Sequence, residues 1–122
     1  MEYIKHTSAV IHRTSPNCKA YEYPMENSEM NMCVVEISER YPENGYAKNR
    51  KCSEMGYILK GSGKLVTETD VVALTPGDLV FIPRGEKYYW EGNMMIVLSA
   101  TPAWHPEQHE TNLTPYITST HE

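Results

Sequence analysis

The chain has 122 residues, enough for one hydrophobic core that buries roughly two-thirds of the surface of the unfolded chain. Asp and Glu number 16 against 11 Lys and Arg, so the net charge is −5. The scattered basic residues argue against a nucleic-acid partner, and no apolar run is long enough for a membrane helix.

The N-terminal part of the sequence and the cysteines indicate the compartment. The first residues lack the apolar stretch of a signal peptide. The cysteines, Cys18, Cys33 and Cys52, show no paired spacing, which is typical of reduced thiols. We therefore expect a cytoplasmic protein with no membrane partner.

Short segments rich in β-branched and aromatic residues recur along the chain, separated by proline, glycine and asparagine. This pattern is typical of an all-β sandwich or barrel. No linker or internal repeat divides the chain, so we predict a single domain over residues 1–122. The predicted strands are residues 8–12, 19–23, 30–37, 55–59, 64–68, 79–82, 87–90 and 94–100.

Three glycine-containing segments predict turns. Residues 60–64, with Gly61 among them, predict a tight hairpin because glycine adopts positive φ angles without strain. Pro76 and Gly77 suit the two central positions of a type II turn. Residues 83–86 predict a similar turn one strand later.

The spacing of Gly77, Pro83 and Gly85 carries a family resemblance. A glycine, five residues, proline, one residue and glycine resemble the second signature of the cupin family. Glu54 and Gly61 have the separation that the first cupin signature requires. The resemblance implies an all-β fold, the cupin double-stranded β-helix or jelly-roll barrel.

The resemblance covers roughly residues 37–99, with residues 1–36 and 100–122 as flanking parts. Small cupins are commonly dimers, so the resemblance also implies a homodimer. Residues 3–13 carry scattered apolar side chains and are the candidate contact. Trp104, between two prolines, is expected to cap the barrel or to dock on a second subunit.

In cupins, three histidines and one glutamate of these signatures hold a divalent metal. Here the resemblance retains Glu54, while Tyr88 stands at the histidine position of the second signature. The other two histidine positions fall on Lys48 and Arg50, or on Ala47 and Asn49 with a longer spacing. Because a charged lysine or arginine offers no lone pair, we expect no metal and no other cofactor.

Histidines are absent between Arg13 and Trp104, but two lie just beyond. His105 and His109 would share one face of a helical turn that begins at Pro106. A metal site on this turn is one interpretation. The segment is polar, so a solvent-exposed turn is favoured.

A cavity lined by aromatic side chains is the expected ligand site, with Glu54 pointing inward as its counterpart does in cupins. Lys48 and Arg50 have three interpretations: exposed loop residues, ion-pair partners of Glu54 that plug the barrel, or captors of an anionic ligand. The further candidate ligand-binding residues are Tyr57, Phe81, Tyr88 and Trp90.

The sequence thus predicts a metal-independent cupin that binds a small polar or anionic metabolite. One alternative is a proton-transfer isomerase, epimerase or lyase acting on a carbohydrate-like substrate, with Glu54 and Tyr88 as the catalytic pair. Related metal-free cupins use a histidine base, and the predicted barrel core contains none. The other alternative is a non-catalytic barrel that serves mainly in association.

Overall fold

The computed structural model describes residues 1–114, which fold almost entirely into antiparallel strands, and the predicted all-β class is confirmed. The predicted single domain over residues 1–122 stays a prediction, since residues 115–122 lie outside the described part. Within that part, no helix is long and apolar enough to cross a membrane. Two 3₁₀ turns, His6–Ser8 and Pro106–Gln108, accompany ten strands. The strands are β1 (Val10–Ser15), β2 (Cys18–Glu22), β3 (Asn31–Ile37), β4 (Arg40–Tyr41), β5 (Tyr46–Asn49), β6 (Ser53–Thr67), β7 (Val71–Leu74), β8 (Leu79–Ile82), β9 (Tyr88–Thr101) and β10 (His109–Leu113).

Two long strands, β6 and β9, form the centre of the curled sheet. They pair along their whole length, from Ser53 opposite Thr101 to Thr67 opposite Tyr88. The first half of β6 also pairs with β8, and the facing half of β9 continues through β3 and β2 to β1. The other halves carry β7, β4 and β5, and β10 joins β5.

The predicted hairpin at residues 60–64 is wrong, because β6 runs straight through this segment. A β-bulge interrupts its register between Ile58 and Lys60. A β-carbon added at Gly92 would lie 2.5 Å from the Cα of Gly63. The glycines therefore allow two paired strands to approach closely where the sheet passes from β8 to β7, and they do not reverse the chain.

The other two predicted turns are confirmed, and they flank β8. Gly77 has a φ of 94°, and the Asp78 amide donates to the Thr75 carbonyl at 3.1 Å. Gly85 has a φ of 85°, and the Glu86 amide donates to the Pro83 carbonyl at 3.2 Å. These turns hold β8 against β6, so that Ile82 lies opposite Glu54.

Four strands have no counterpart among the predicted elements. They are β4, β5, which was expected to be loop, β7 and β10. Each has two to five residues, and β10 is largely polar. Pairing with neighbouring strands holds these short segments extended.

Alternation along β6 separates the core from the outer surface. Ile58 is fully buried between the layers, together with Ile96 of β9. Glu54 points to the same side and is 6% exposed, whereas its neighbour Met55 is 46% exposed. The carboxyl of Glu54 is therefore inside the barrel, as predicted.

Candidate functional site

A cavity of about 260 Å³ opens between the layers of the curled sheet. Its walls come from β2, β3, β6 and β9 and from residues 104–109, which follow β9. Exposed residues at the rim include Pro24, Met25 and Met32. Its polar and aromatic lining includes Glu22, Tyr23, Tyr41, Glu54, Tyr88, Trp90, Trp104 and His109.

Glu54 supplies a buried carboxyl group to this cavity. The side-chain amide of Asn49 donates to its Oε1 at 3.1 Å. Burial raises the pKa of Glu54 to about 7, and the bond from Asn49 opposes this shift without cancelling it. Near neutral pH the group is divided between its acid and its carboxylate form.

Asn49 is the centre of a hydrogen-bond network behind this carboxyl. Its Oδ1 accepts from Trp104 Nε1 at 3.0 Å, from Gln108 Nε2 at 2.9 Å and from His109 Nδ1 at 2.8 Å. An indole nitrogen only donates, so its contact fixes which end of the amide is oxygen. The nitrogen end of Asn49 therefore faces Glu54.

Gln108 is fully buried and is held from the other side. Its Oε1 accepts the backbone amides of Lys51 and Cys52 at 3.1 and 3.2 Å. Because backbone amides only donate, the Nε2 of Gln108 must be the end that faces Asn49. The 3₁₀ turn after β9 is thereby attached to the segment between β5 and β6.

The network determines the tautomer of His109. Since Asn49 Oδ1 only accepts, Nδ1 of His109 carries the proton, and Nε2 accepts the hydroxyl of Tyr41 at 2.8 Å. Desolvation lowers the pKa of His109 to about 4, and the nearby Glu110 opposes this shift. The imidazole is therefore neutral near pH 7, and both of its nitrogens are occupied.

Tyr88 and Trp90 form the aromatic part of the inner wall. Both are buried, and their rings meet edge to face with centroids 6.3 Å apart. Burial, reinforced by the charge of Glu54, raises the pKa of Tyr88 well above its usual value, so its hydroxyl keeps its proton. Within residues 1–114 this hydroxyl has no hydrogen-bond partner, which is uncommon for a buried polar group.

The interior placements considered for Lys48 and Arg50 are wrong. Lys48 Nζ lies 3.6 Å and Arg50 Nε 3.3 Å from the carboxylate of Glu110, outside the cavity. The reason is strand parity: β5 turns Ala47 and Asn49 inward. Those two residues occupy the inward positions that the longer signature spacing assigns to histidine.

Tyr57 and Phe81, expected to line the cavity, lie on the outer face instead. They are 44% and 60% exposed. Successive residues of a strand point to opposite sides, so the inward position of Glu54 places Met55 and Tyr57 outside, and Phe81 pairs with Met55. The expectation was wrong by one residue of register.

The expected solvent-exposed turn is confirmed for residues 105–107, which are exposed, and is wrong for Gln108 and His109. Trp104 is half-buried and lines the cavity, Gln108 is fully buried, and His109 begins β10. The polar sequence concealed this packing, because these side chains are buried through hydrogen bonds and through the packing of the His109 ring against those of Tyr41 and Trp104. The one sequence signal for this packing was Trp104, which lies between two prolines and was expected to cap the barrel or to dock on a second subunit.

The inherited cupin metal site does not fit these residues. No group of three or more His, Cys, Asp or Glu side chains within residues 1–114 is placed to hold an ion. Both nitrogens of His109 are engaged, and Asn49 Oδ1 already accepts three bonds. Glu54 is left as a single carboxylate donor with an amide beside it.

Comparisons with known proteins agree with this architecture. Residues 41–99 match the family model described as Cupin domain. A structure of Streptomyces PAC13 with uridine has a TM-score of 0.80 at 15% identity, over 90% of this chain and 88% of that one. Another Pac13 structure, described as that of a unique nucleoside dehydratase, has a TM-score of 0.79 at 15% identity, over 90% and 89% of the two chains.

A further similar structure comes from a different enzyme. Ectoine synthase from P. lautus has a TM-score of 0.69 at 14% identity, over 99% of this chain and 96% of that one. No curated protein matches the sequence. At these identities the structural likeness establishes the fold alone.

Proposed function

This chain has the cupin fold, and from that premise we propose that it is a metal-independent proton-transfer enzyme, an isomerase or lyase acting on a small polar molecule. One observation carries the proposal: a carboxyl with a pKa of about 7 and a buried, unpartnered phenol hydroxyl line the same cavity. Simple binding would not require a carboxyl poised between its two protonation states.

Glu54 is the proposed base. Its carboxylate takes a proton from a carbon next to a carbonyl group, and a pKa near the working pH suits this transfer. The hydroxyl of Tyr88 donates to the carbonyl oxygen, where negative charge develops. Where the acidic carbon bears a hydroxyl, return of the proton to the former carbonyl carbon, with that hydroxyl giving its own proton back to Tyr88, yields the isomeric carbonyl compound. Loss of a β-hydroxyl that takes the proton from Glu54 instead gives an α,β-unsaturated carbonyl compound and water.

His109 supports this chemistry as a positioning residue. The absence of a histidine from the predicted barrel core counted against a proton-transfer enzyme, whereas His109 lines the cavity. Its neutral imidazole orients Asn49, which in turn fixes one oxygen of Glu54. The other carboxylate oxygen has no partner within residues 1–114 and is available to the substrate.

A polar substrate fits the cavity better than an anion. The basic residues considered for an anion, Lys48 and Arg50, are paired with Glu110 elsewhere. Proteins of similar fold include a nucleoside dehydratase and an ectoine synthase, and one structure holds uridine. These neighbours support a small-molecule substrate without identifying it.

The test is deuterium exchange into carbon acids. The wild-type protein is incubated in D₂O with hydroxyacetone, dihydroxyacetone and simple ketoses, and loss of the proton signal next to the carbonyl is followed by NMR. We expect E54Q to slow exchange by on the order of 100-fold or more and Y88F by a smaller factor. N44A, at an exposed bend, is the control. Exchange no faster with wild type than with E54Q on every probe would overturn the proposal.

Metal independence has its own experiment. Exchange is measured before and after dialysis against a chelator, and again after addition of zinc, manganese, iron or nickel. We expect the rate to stay within a factor of two throughout. Activity that disappears on dialysis and returns with one metal would show that the donors of this site do bind an ion.

A second candidate function, homodimer formation, is favoured by a different observation. The outer face of β6 and β8 exposes large apolar residues on directly paired strands, a feature typical of interfaces. None of the five residues of this face is charged, so a second copy of the same face can pack against it without charge complementarity. It replaces residues 3–13 as our proposed contact. The outer apolar face consists of Met55, Tyr57, Leu59, Leu79 and Phe81, each between 44% and 61% exposed.

A further inference from the structure

The charges that line the cavity are of one sign. Among the lining residues that the structure describes, Glu22 and Glu54 are the only Asp, Glu, Lys or Arg side chains. His109 is held neutral by its hydrogen bonds and burial, and His105, at the rim, lies 3.0 Å from Glu107. Apart from these two histidines, no basic side chain lines the described part of the cavity.

The two carboxylates lie at different depths. Glu54 is 6% exposed at the inner wall. Glu22, at the end of β2, retains 35% of its side-chain exposure, and its Oε1 lies 3.5 Å from His12 Nε2. A ligand that spans the cavity would thus find one carboxylate near the opening and another beside the unpartnered hydroxyl of Tyr88.

Five aromatic rings line the same cavity as these carboxylates. Their faces carry negative electrostatic potential and attract cations, most strongly when the site is shielded from water. No lysine or arginine among the described lining residues competes with a bound cation. The rings belong to Tyr23, Tyr41, Tyr88, Trp90 and Trp104.

We propose that the substrate is a small carbonyl compound with a protonated amine, an aminoketone or amino-aldehyde, whose ammonium group lies between Glu22 and the aromatic rings. Its carbonyl oxygen then accepts from Tyr88 and its acidic carbon faces Glu54. This inference rests on the proposed proton transfer and specifies the substrate class. A neutral ketone would leave Glu22 without a partner in the ligand, and an anion would be repelled by both carboxylates.

The experiment compares two ligands of nearly equal size, aminoacetone and hydroxyacetone. Enzyme-catalysed deuterium exchange is measured for each, after subtraction of the exchange without protein. We expect kcat/KM for aminoacetone to exceed that for hydroxyacetone by at least tenfold. E22Q should raise the KM for aminoacetone about tenfold, leave kcat nearly unchanged and leave hydroxyacetone exchange unaffected. E26Q, an exposed neighbouring carboxylate outside the lining, is the matched control.

The outcomes separate the inference from the proposed function. If hydroxyacetone is exchanged as well as aminoacetone and E22Q discriminates against neither, the substrate class is wrong and the proton transfer stands. If neither ketone is exchanged, the proton transfer fails, and calorimetry with ethanolamine still tests the cation site. Loss of ethanolamine binding in E22Q, at an unchanged melting temperature, would support the cation site, whereas absence of binding to wild type would overturn it.

Discussion

Adjacent residues of β6 point to opposite faces of the strand, and the two faces differ in chemistry. Glu54 points into the cavity and has a shifted pKa, while Met55 beside it belongs to an apolar outer face. Directional hydrogen bonds around Asn49 fix the inner side chains, whereas the outer side chains offer apolar surface, and apolar contacts have no preferred direction. The inner face should therefore be sensitive to single polar changes and the outer face to added charge.

Removing the centre of the inner network should have the largest effect. N49A leaves the donors of Trp104, Gln108 and His109 without their shared acceptor. We expect it to lower the free energy of unfolding by about 3 kcal/mol, since each buried unsatisfied donor costs roughly 1–3 kcal/mol and some are rescued by water. Urea denaturation measures this, with N44A as control. A loss below about 1 kcal/mol would show that Asn49 does not organise the site.

The pH dependence of stability tests the inner face through Glu54. Its folded pKa of about 7 lies above its usual value of 4.5, so its contribution is fully present below pH 4.5 and is lost as the pH rises through 7. The stability of wild type relative to E54Q should therefore fall by about 2–3 kcal/mol between pH 4 and pH 9. Urea denaturation of both proteins at several pH values gives this difference. A constant difference would mean that Glu54 titrates normally.

His109 should give the opposite slope. Its folded pKa of about 4 lies below the usual 6.5, so its contribution is present above pH 6.5 and is lost as the pH falls through 4. The E54Q variant retains His109 but lacks the Glu54 carboxyl, whose titration changes stability in the opposite direction. We therefore expect the stability of E54Q, measured against that of E54Q/H109N, to decline steadily from pH 6.5 to pH 4. An unchanged difference would place His109 in water.

A charge on the outer apolar face should separate association from the site. F81E introduces a carboxylate at its most protruding aromatic residue, and we expect the dimer dissociation constant to rise at least tenfold, by about 1.4 kcal/mol. Analytical ultracentrifugation of the wild type and of F81E over a concentration series measures this dissociation constant. V71E, an equally exposed apolar position on β7, is the control. Equal effects of the two variants would move the contact elsewhere.

The surface pair of Arg50 and Glu110 should matter least. The side chain of Arg50 is 46% exposed, and such pairs contribute roughly 0–1 kcal/mol. R50A should therefore leave the rate of deuterium exchange unchanged and the free energy of unfolding within about 1 kcal/mol of the wild-type value. A large loss of exchange in R50A, at wild-type stability, would return this residue to the cavity and reinstate an anionic ligand.

The sequence was informative where local geometry decides the structure. Gly77 and Gly85 predicted their turns because positive φ angles favour glycine, and those turns fix the inward position of Glu54. The inner positions of Tyr88 and Trp90 followed from the same frame. Tyr57 was misplaced because the inward parity of Glu54 was not carried along β6 to its neighbours.

The remainder of the site depends on contacts between distant segments. Asn49 and His109 are 60 positions apart, and nothing in either local sequence marks the bond between them. Gly61 and Gly63 have the composition of a hairpin, and only the close approach of residues 92 and 93 of β9 shows that they lie within a continuous paired strand. Polar burial of this kind has no hydropathy signal, so it could not be predicted from one sequence.

The attachment of Gln108 to the backbone before β6 makes the site depend on residues that follow the long strands of the sheet. Residues 104–109 supply three of the donors to Asn49, and β10 pairs with β5. A chain terminated at residue 103 would lose both, and with them the orientation of the Glu54 carboxyl. Cleavage or premature termination after β9 would thus disable the proposed site while the pairing of β6 with β9 remained.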